Sequence, residues 1–213
     1  MRIGINAFTL KMIAIVAMLI DHVGAILFPW VEVLRIIGRI AFPIFAFTLV
    51  EGFFHTRDVK KYMLRLGILA LVSEIPFDLA FFGVPFAFIH QNVFFTLFLG
   101  ILMLYLVVST PKDFRRVLSV LAVILIADYL HTDYGSWGIL MILCYYVFRE
   151  KKWLQYGGIA AINIFAMGYS QVYAPLALVP IALYNGKEGL KSKTFFYGFY
   201  PVHLIILYLI SLI

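Results

Sequence analysis

The chain has 213 residues, 64% of them apolar and only 13% charged, with a mean hydropathy of +1.00. A soluble domain is about 45–50% apolar and about 25% charged, so a water-soluble globular enzyme is excluded, and so is a disordered chain. The net charge of +6 would fit nucleic acid in a soluble protein. Here most Lys and Arg lie in short loops between apolar runs, where the positive-inside rule puts them, and no nucleic-acid partner is expected.

The apolar runs are long and uninterrupted, as spanning helices require and as the alternating strands of a membrane barrel do not. The expected fold is all-α: one polytopic transmembrane helix bundle over residues 1–213. Nine helices are predicted, near 8–28, 35–54, 62–82, 92–109, 115–130, 135–148, 154–168, 171–185 and 195–212. The sixth and seventh are short for a crossing, so eight helices with a re-entrant piece is the rival count. Lys11 near the start of the first run, with Asp21-His22 inside it, argues against a cleavable signal peptide. The single cysteine, Cys144, excludes an internal disulfide and a cysteine-built metal site; no metal is expected.

Loop charges support nine crossings. The second loop carries Arg57, Asp58, Lys60 and Lys61, with Arg65 just beyond. The fourth carries Lys112, Asp113, Arg115 and Arg116. The sixth carries Arg149, Glu150, Lys151 and Lys152, and the eighth Lys187, Glu188, Lys191 and Lys193. The odd-numbered loops have no such excess of cations. The alternation puts the N-terminus and the even loops in the cytoplasm.

Ionisable groups inside a bilayer cost at least about 2.5–3.5 kcal/mol each at the centre and tend to mark function. They are Asp21, His22, Arg39, Glu51, Glu74, Asp78 and His203, with Lys11 and His55 nearer the interfaces and Gln91 and Asn92 at the outer rim. Lys11 and His22 are eleven residues apart, about three turns, so they share a face about 16 Å apart along the axis. Glu74 and Asp78 are i, i+4 on another face. Plain structural readings stand beside these. Arg39 with Glu74 and Asp78 fits a neutralising cluster, Glu51 and His55 fit interfacial residues, and His203 fits a hydrogen-bonded helix contact. Asp21-His22 has the weakest structural explanation, because i, i+1 neighbours do not face each other, and imidazole moves protons near neutral pH. Pro43, Pro76 and Pro201 beside these groups predict kinks around a buried polar cavity.

The segments Lys11 to Gly24, with Asp21-His22 inside, and Arg35-Ile-Ile-Gly38-Arg39-Ile-Ala-Phe42-Pro43, then Glu51-Gly52 with His55-Thr56-Arg57, resemble the TraX family. So do Ser73-Glu74-Ile-Pro76-Phe-Asp78, Gln91-Asn92-Val-Phe-Phe-Thr96, and Phe196-Tyr-Gly-Phe-Tyr200-Pro201-Val-His203. The family is named for a conjugation protein that acetylates the N-terminus of F pilin. More widely it resembles integral-membrane acyltransferases that carry acetyl from cytoplasmic acetyl-CoA to an acceptor across the membrane. Those enzymes share a basic residue, ten residues, then a histidine on the first helix, and Lys11 and His22 match that spacing. The resemblance is strongest in the first 100 and last 20 residues, and weaker over Lys112–Asn185.

The resemblance implies a multi-pass protein of the bacterial cytoplasmic membrane. It implies His22 as general base, oriented by Asp21 or another carboxylate such as Glu74, with His203 and Tyr200 near the thioester or acceptor. Arg39, or backbone near Pro43, is expected to stabilise the oxyanion. Glu51, Glu74, Asp78, Gln91 and Asn92 complete the intramembrane polar set. Lys11, His55, Arg57, Lys60, Lys61, Arg115 and Arg116 are the expected cationic rim for CoA phosphates. The acceptor, whether a peptide N-terminus, a glycan or a cell-wall polymer, is not specified. Two other classes stay open: a proton-coupled secondary transporter, since carboxylates and histidines also suit a relay, and a membrane scaffold of an envelope or conjugation machine.

Overall fold

The computed structural model describes residues 4–213, apart from the side chains of Tyr169 and Lys193. The latter is one of the eighth-loop cations, whose side chain therefore lies outside the described residues. The chain is an all-α bundle: α1 (Ala7–Ile26), α2 (Glu32–Gly38), α3 (Ala41–His55), α4 (Val59–Phe82), α5 (Val93–Ser109), α6 (Phe114–Tyr129), α7 (Gly135–Val147), α8 (Lys152–Ala161), α9 (Leu178–Ala182) and α10 (Lys193–Ser211). No strand occurs among the described residues, only isolated bridges joining Ile5 to Tyr184 and Gln91 to Thr132.

Local chemistry starts several helices where they start. The side chains of Asn6, Asp58, Asn92 and Asp113 accept from the backbone N–H of Thr9, Lys61, Phe94 and Arg115, filling N-terminal donors that otherwise lack partners. The N–H groups of Ala7 and Phe8 are met instead by the carbonyls of Lys187 and Glu188, so the loop before α10 closes over the start of α1. Two carboxylates placed this way have pKa values lowered by their hydrogen bonds: Asp58 by the backbone of Lys61, and Asp113 by the side chain of Arg115.

The predicted second helix is broken into α2 and α3 at Arg39–Ile40. Pro43 is the cause: it has no N–H for the Arg39 carbonyl, and its ring crowds that carbonyl. Pro76 sits inside an uninterrupted α4 and Pro201 inside α10. The predicted seventh helix is α8 continued by a π-helical turn at Ile162–Ala166. The predicted eighth helix is not continuous. Short 3₁₀ turns at Tyr169–Gln171 and Ala174–Ala177 lead into the five-residue α9, in a stretch punctuated by Gly168, Pro175 and Pro180.

Layering follows hydropathy. α3 lies at the centre, with Ala41 through Ile44 and Ala46 through Val50 buried, and α1, α5 and α7 against it. The outward faces are apolar as well. α4 exposes Leu64, Ile68, Leu71, Val72 and Ile75, α6 exposes Val117, Leu118, Leu121 and Leu125, and α10 exposes Val202, Ile205, Ile206 and Leu209. Apolar stripes of this extent on water would drive aggregation; on lipid they are the expected surface. Among the described residues, α1, the α2–α3 unit and Thr194–Ser211 of α10 are long and apolar enough to cross a membrane. The twenty residues of α1 span about 30 Å, the thickness of the hydrocarbon layer.

Candidate functional site

The face of α1 predicted to join Lys11 to His22 is real and runs through Ile15 and Met18. Lys11, Ile15 and Met18 line an apolar cavity of about 110 Å³ with Phe45, Leu97, Phe94 and Tyr200. A second, more polar cavity of about 260 Å³ is lined by Lys11, Glu51, His55, Arg65 and Glu188. Lys11, Thr48, Tyr62 and Tyr197 belong to both, so the two cavities meet at these side chains, the neck between them. Gly52 makes the neck possible: a Cβ there would lie 3.1 Å from the Tyr62 hydroxyl.

His22 stands one turn beyond Met18, buried, with its ring against Tyr200 at 5.9 Å between centroids and against Phe81 at 5.4 Å. Its partner comes from the far end of the chain: His22 Nδ1 lies 2.7 Å from His203 Nε2, the rings parallel within 7°. His203 Nδ1 lies 2.9 Å from the Phe199 carbonyl oxygen. A carbonyl oxygen only accepts, so His203 Nδ1 carries the proton and its Nε2 is the acceptor. His22 Nδ1–H then donates to His203, which leaves His22 Nε2 with an unshared lone pair. The second histidine thus does what a carboxylate does in a triad: it fixes tautomer and orientation.

The expectation that Asp21 or Glu74 orients His22 is corrected here. Asp21 points the other way. Its Oδ2 accepts from Arg35 Nη1 at 2.6 Å and its Oδ1 from Arg39, whose Nε donates to the Arg35 carbonyl. Asp21 packs on Gly38, where a Cβ would come within 2.2 Å of it. One carboxylate between two guanidinium groups locks α1 to α2 and to the break that follows it. Nor do Arg39, Glu74 and Asp78 form one cluster. Glu74 Oε2 accepts from the backbone and side-chain amides of Asn92, and Asp78 Oδ2 accepts from the Ala87 N–H at 2.8 Å. Gln91 enters through its backbone, its N–H donating to the His131 carbonyl. Nearby, His90 Nε2 meets Asp133 Oδ1 at 3.1 Å across two loops, a hydrogen bond that raises the His90 pKa.

The expected CoA rim is only partly assembled. Lys11 and His55 line the polar cavity; Arg57, Lys60, Lys61, Arg115 and Arg116 do not. Lys61 pairs with Asp58, Arg115 with Asp113, and Arg116 donates to the Thr110 carbonyl. Glu51 pairs with Arg149 at 3.0 Å, and that guanidinium lies over Phe54. Arg65 and Tyr62 are among the lining residues outside the expected set. Their signal was available, since residues 62, 65 and 66 fall on one helical face and the Arg65 guanidinium lies over the Tyr62 ring.

Comparison with known proteins gives a family match. The family model described as "TraX protein" matches residues 7–211. A probable fimbrial assembly protein, FimC of serogroup H1, from Dichelobacter nodosus is 32% identical over 97% of this chain and 96% of its own length. Uncharacterized protein RP591 of Rickettsia prowazekii (strain Madrid E) is 30% identical over 67% of this chain and 56% of its own. No solved structure matches.

Proposed function

The chain belongs to the TraX family, and on that premise we propose that it is an integral-membrane acyltransferase of the bacterial cytoplasmic membrane. It passes an acetyl group from cytoplasmic acetyl-CoA to an amine or hydroxyl on the extracytoplasmic side. The observation that carries this reading is a histidine dyad, His22 with His203, packed against Tyr200 of the cavity that begins at Lys11.

The cavities fit such a donor in chemistry. The polar mouth, with Lys11, His55 and Arg65, suits the anionic nucleotide. The narrower apolar part, between Ile15, Phe45, Leu97 and Tyr200, suits an uncharged pantetheine arm. The thioester is then delivered to the His22 end. His22 Nε2 takes the proton of the attacking amine or hydroxyl as its nitrogen or oxygen bonds to the thioester carbon. The imidazolium that forms keeps its Nδ1–H on His203, and its new Nε2 proton goes to the departing thiolate as the C–S bond breaks. The name of the Dichelobacter relative favours an acceptor among surface-fibre components.

The test is CoA binding by the purified protein in lipid nanodiscs, followed by calorimetry. Binding is expected in the unaltered protein, to be lost in Thr48→Trp, which fills the neck, and weakened in Lys11→Glu. Arg115→Ala/Arg116→Ala should bind as the unaltered chain does. No affinity for CoA, together with solute uptake driven by a proton gradient and dependent on Glu74 and Asp78, would mean a transporter instead.

A further inference from the structure

Acyl transfer places negative charge on the thioester oxygen, and Arg39, the side chain expected to meet it, is bound to Asp21. A donor is therefore needed at the inner end of the apolar cavity. Three observations converge on one group. Tyr200 lines that cavity and is 2% exposed. Both dyad rings stand edge-on to it, His22 at 5.9 Å and His203 at 5.5 Å between centroids, and Phe94 holds it from the opposite helix at 4.8 Å. A phenol has one O–H proton to donate.

From this geometry we infer that Tyr200 is a catalytic residue, the hydrogen-bond donor to the thioester oxygen beside the histidine dyad. The inference rests on the acyltransferase reading. As the acceptor's nitrogen or oxygen bonds to the carbonyl carbon, the C=O π pair moves onto oxygen and the Tyr200 O–H shortens its bond to it. The acceptor's proton goes to His22 Nε2. When the C–S bond breaks, the pair returns to the carbonyl and the thiolate takes the proton from His22. Tyr200 keeps its own proton throughout. In a water-poor site such a donor is worth much more than in water.

The experiment uses the full chain in proteoliposomes, following CoA thiol released from acetyl-CoA with glycinamide and water as acceptor probes, beside CoA affinity by calorimetry. Tyr200→Phe keeps the ring and is expected to lower kcat by about 10²–10³-fold, the loss seen when one oxyanion donor is removed, with CoA affinity unchanged. Incorporation of 3-fluorotyrosine at position 200 keeps both ring and hydroxyl and should alter kcat through the more acidic phenol. It decides the matter if the phenylalanine variant does not fold. Near-normal kcat in Tyr200→Phe, or no response to fluorination, while His22→Ala is inactive, overturns the role of Tyr200 and leaves the acyltransferase reading standing. No turnover in the unaltered protein overturns both.

Discussion

His22→Ala is expected to lower acyl transfer by about 10²–10⁴-fold, the span of a positioned general base, without lowering CoA affinity. The reason is the bonding pattern around it. The Phe199 carbonyl fixes the His203 proton on Nδ1, His203 Nε2 fixes the His22 proton on Nδ1, and only His22 Nε2 is left as a base. His203→Ala should cost less, because His22 remains and loses only its orientation. Since the two act as one unit, the double variant should be no worse than His22→Ala alone. The measurement is kcat for each variant in proteoliposomes. Losses that multiply in the double variant would show two independent contributions and end the dyad account.

Asp21→Ala is expected to act on stability rather than chemistry. Asp21 and Arg39 are 13% and 12% exposed at the side chain, and removing the carboxylate leaves the buried Arg39 guanidinium without its counterion, beside the more exposed Arg35. Breaking a buried pair on one side costs about 3–5 kcal/mol. The fall should appear as a lower Tm in nanodiscs and poor accumulation of the folded chain. Changing Asp21, Arg35 and Arg39 together to apolar residues should recover much of it, because no uncompensated charge then remains. If Asp21→Ala melts as the unaltered chain does but is inactive with CoA bound, Asp21 belongs to the chemistry after all.

What was legible in the sequence is what depends on neighbours along one helix. Hydropathy runs mark most helices, and side-chain caps start four of them. The spacing Lys11, Ile15, Met18 draws the cavity wall and carries the same face on to His22, because residues three and four apart share a face. What was not legible depends on which helices meet. Asp21 and His22 adjoin in sequence, yet one faces α2 and the other α10, and only tertiary packing says which. The partner of His22 is 181 residues away, and no local pattern marks an imidazole rather than a carboxylate for that place. The rim cations were read as one set because they carry one charge, whereas the fold sends Arg115 and Arg116 to the α5–α6 turn, where nearby acceptors take them. The stretch 162–185 misled for a different reason. Its apolar content fits a helix, but Gly168, Pro175 and Pro180 break the backbone ladder into short turns.

The most direct measurement is an experimental map of the chain in nanodiscs with a non-hydrolysable acetyl-CoA thioether. The account predicts ligand density running from Lys11, His55 and Arg65 through the neck at Thr48 and Tyr62, with the acyl carbonyl between His22 and Tyr200. Density confined to the loops around Lys60 or Arg115, with the cavity along α1 empty of ligand, would contradict it.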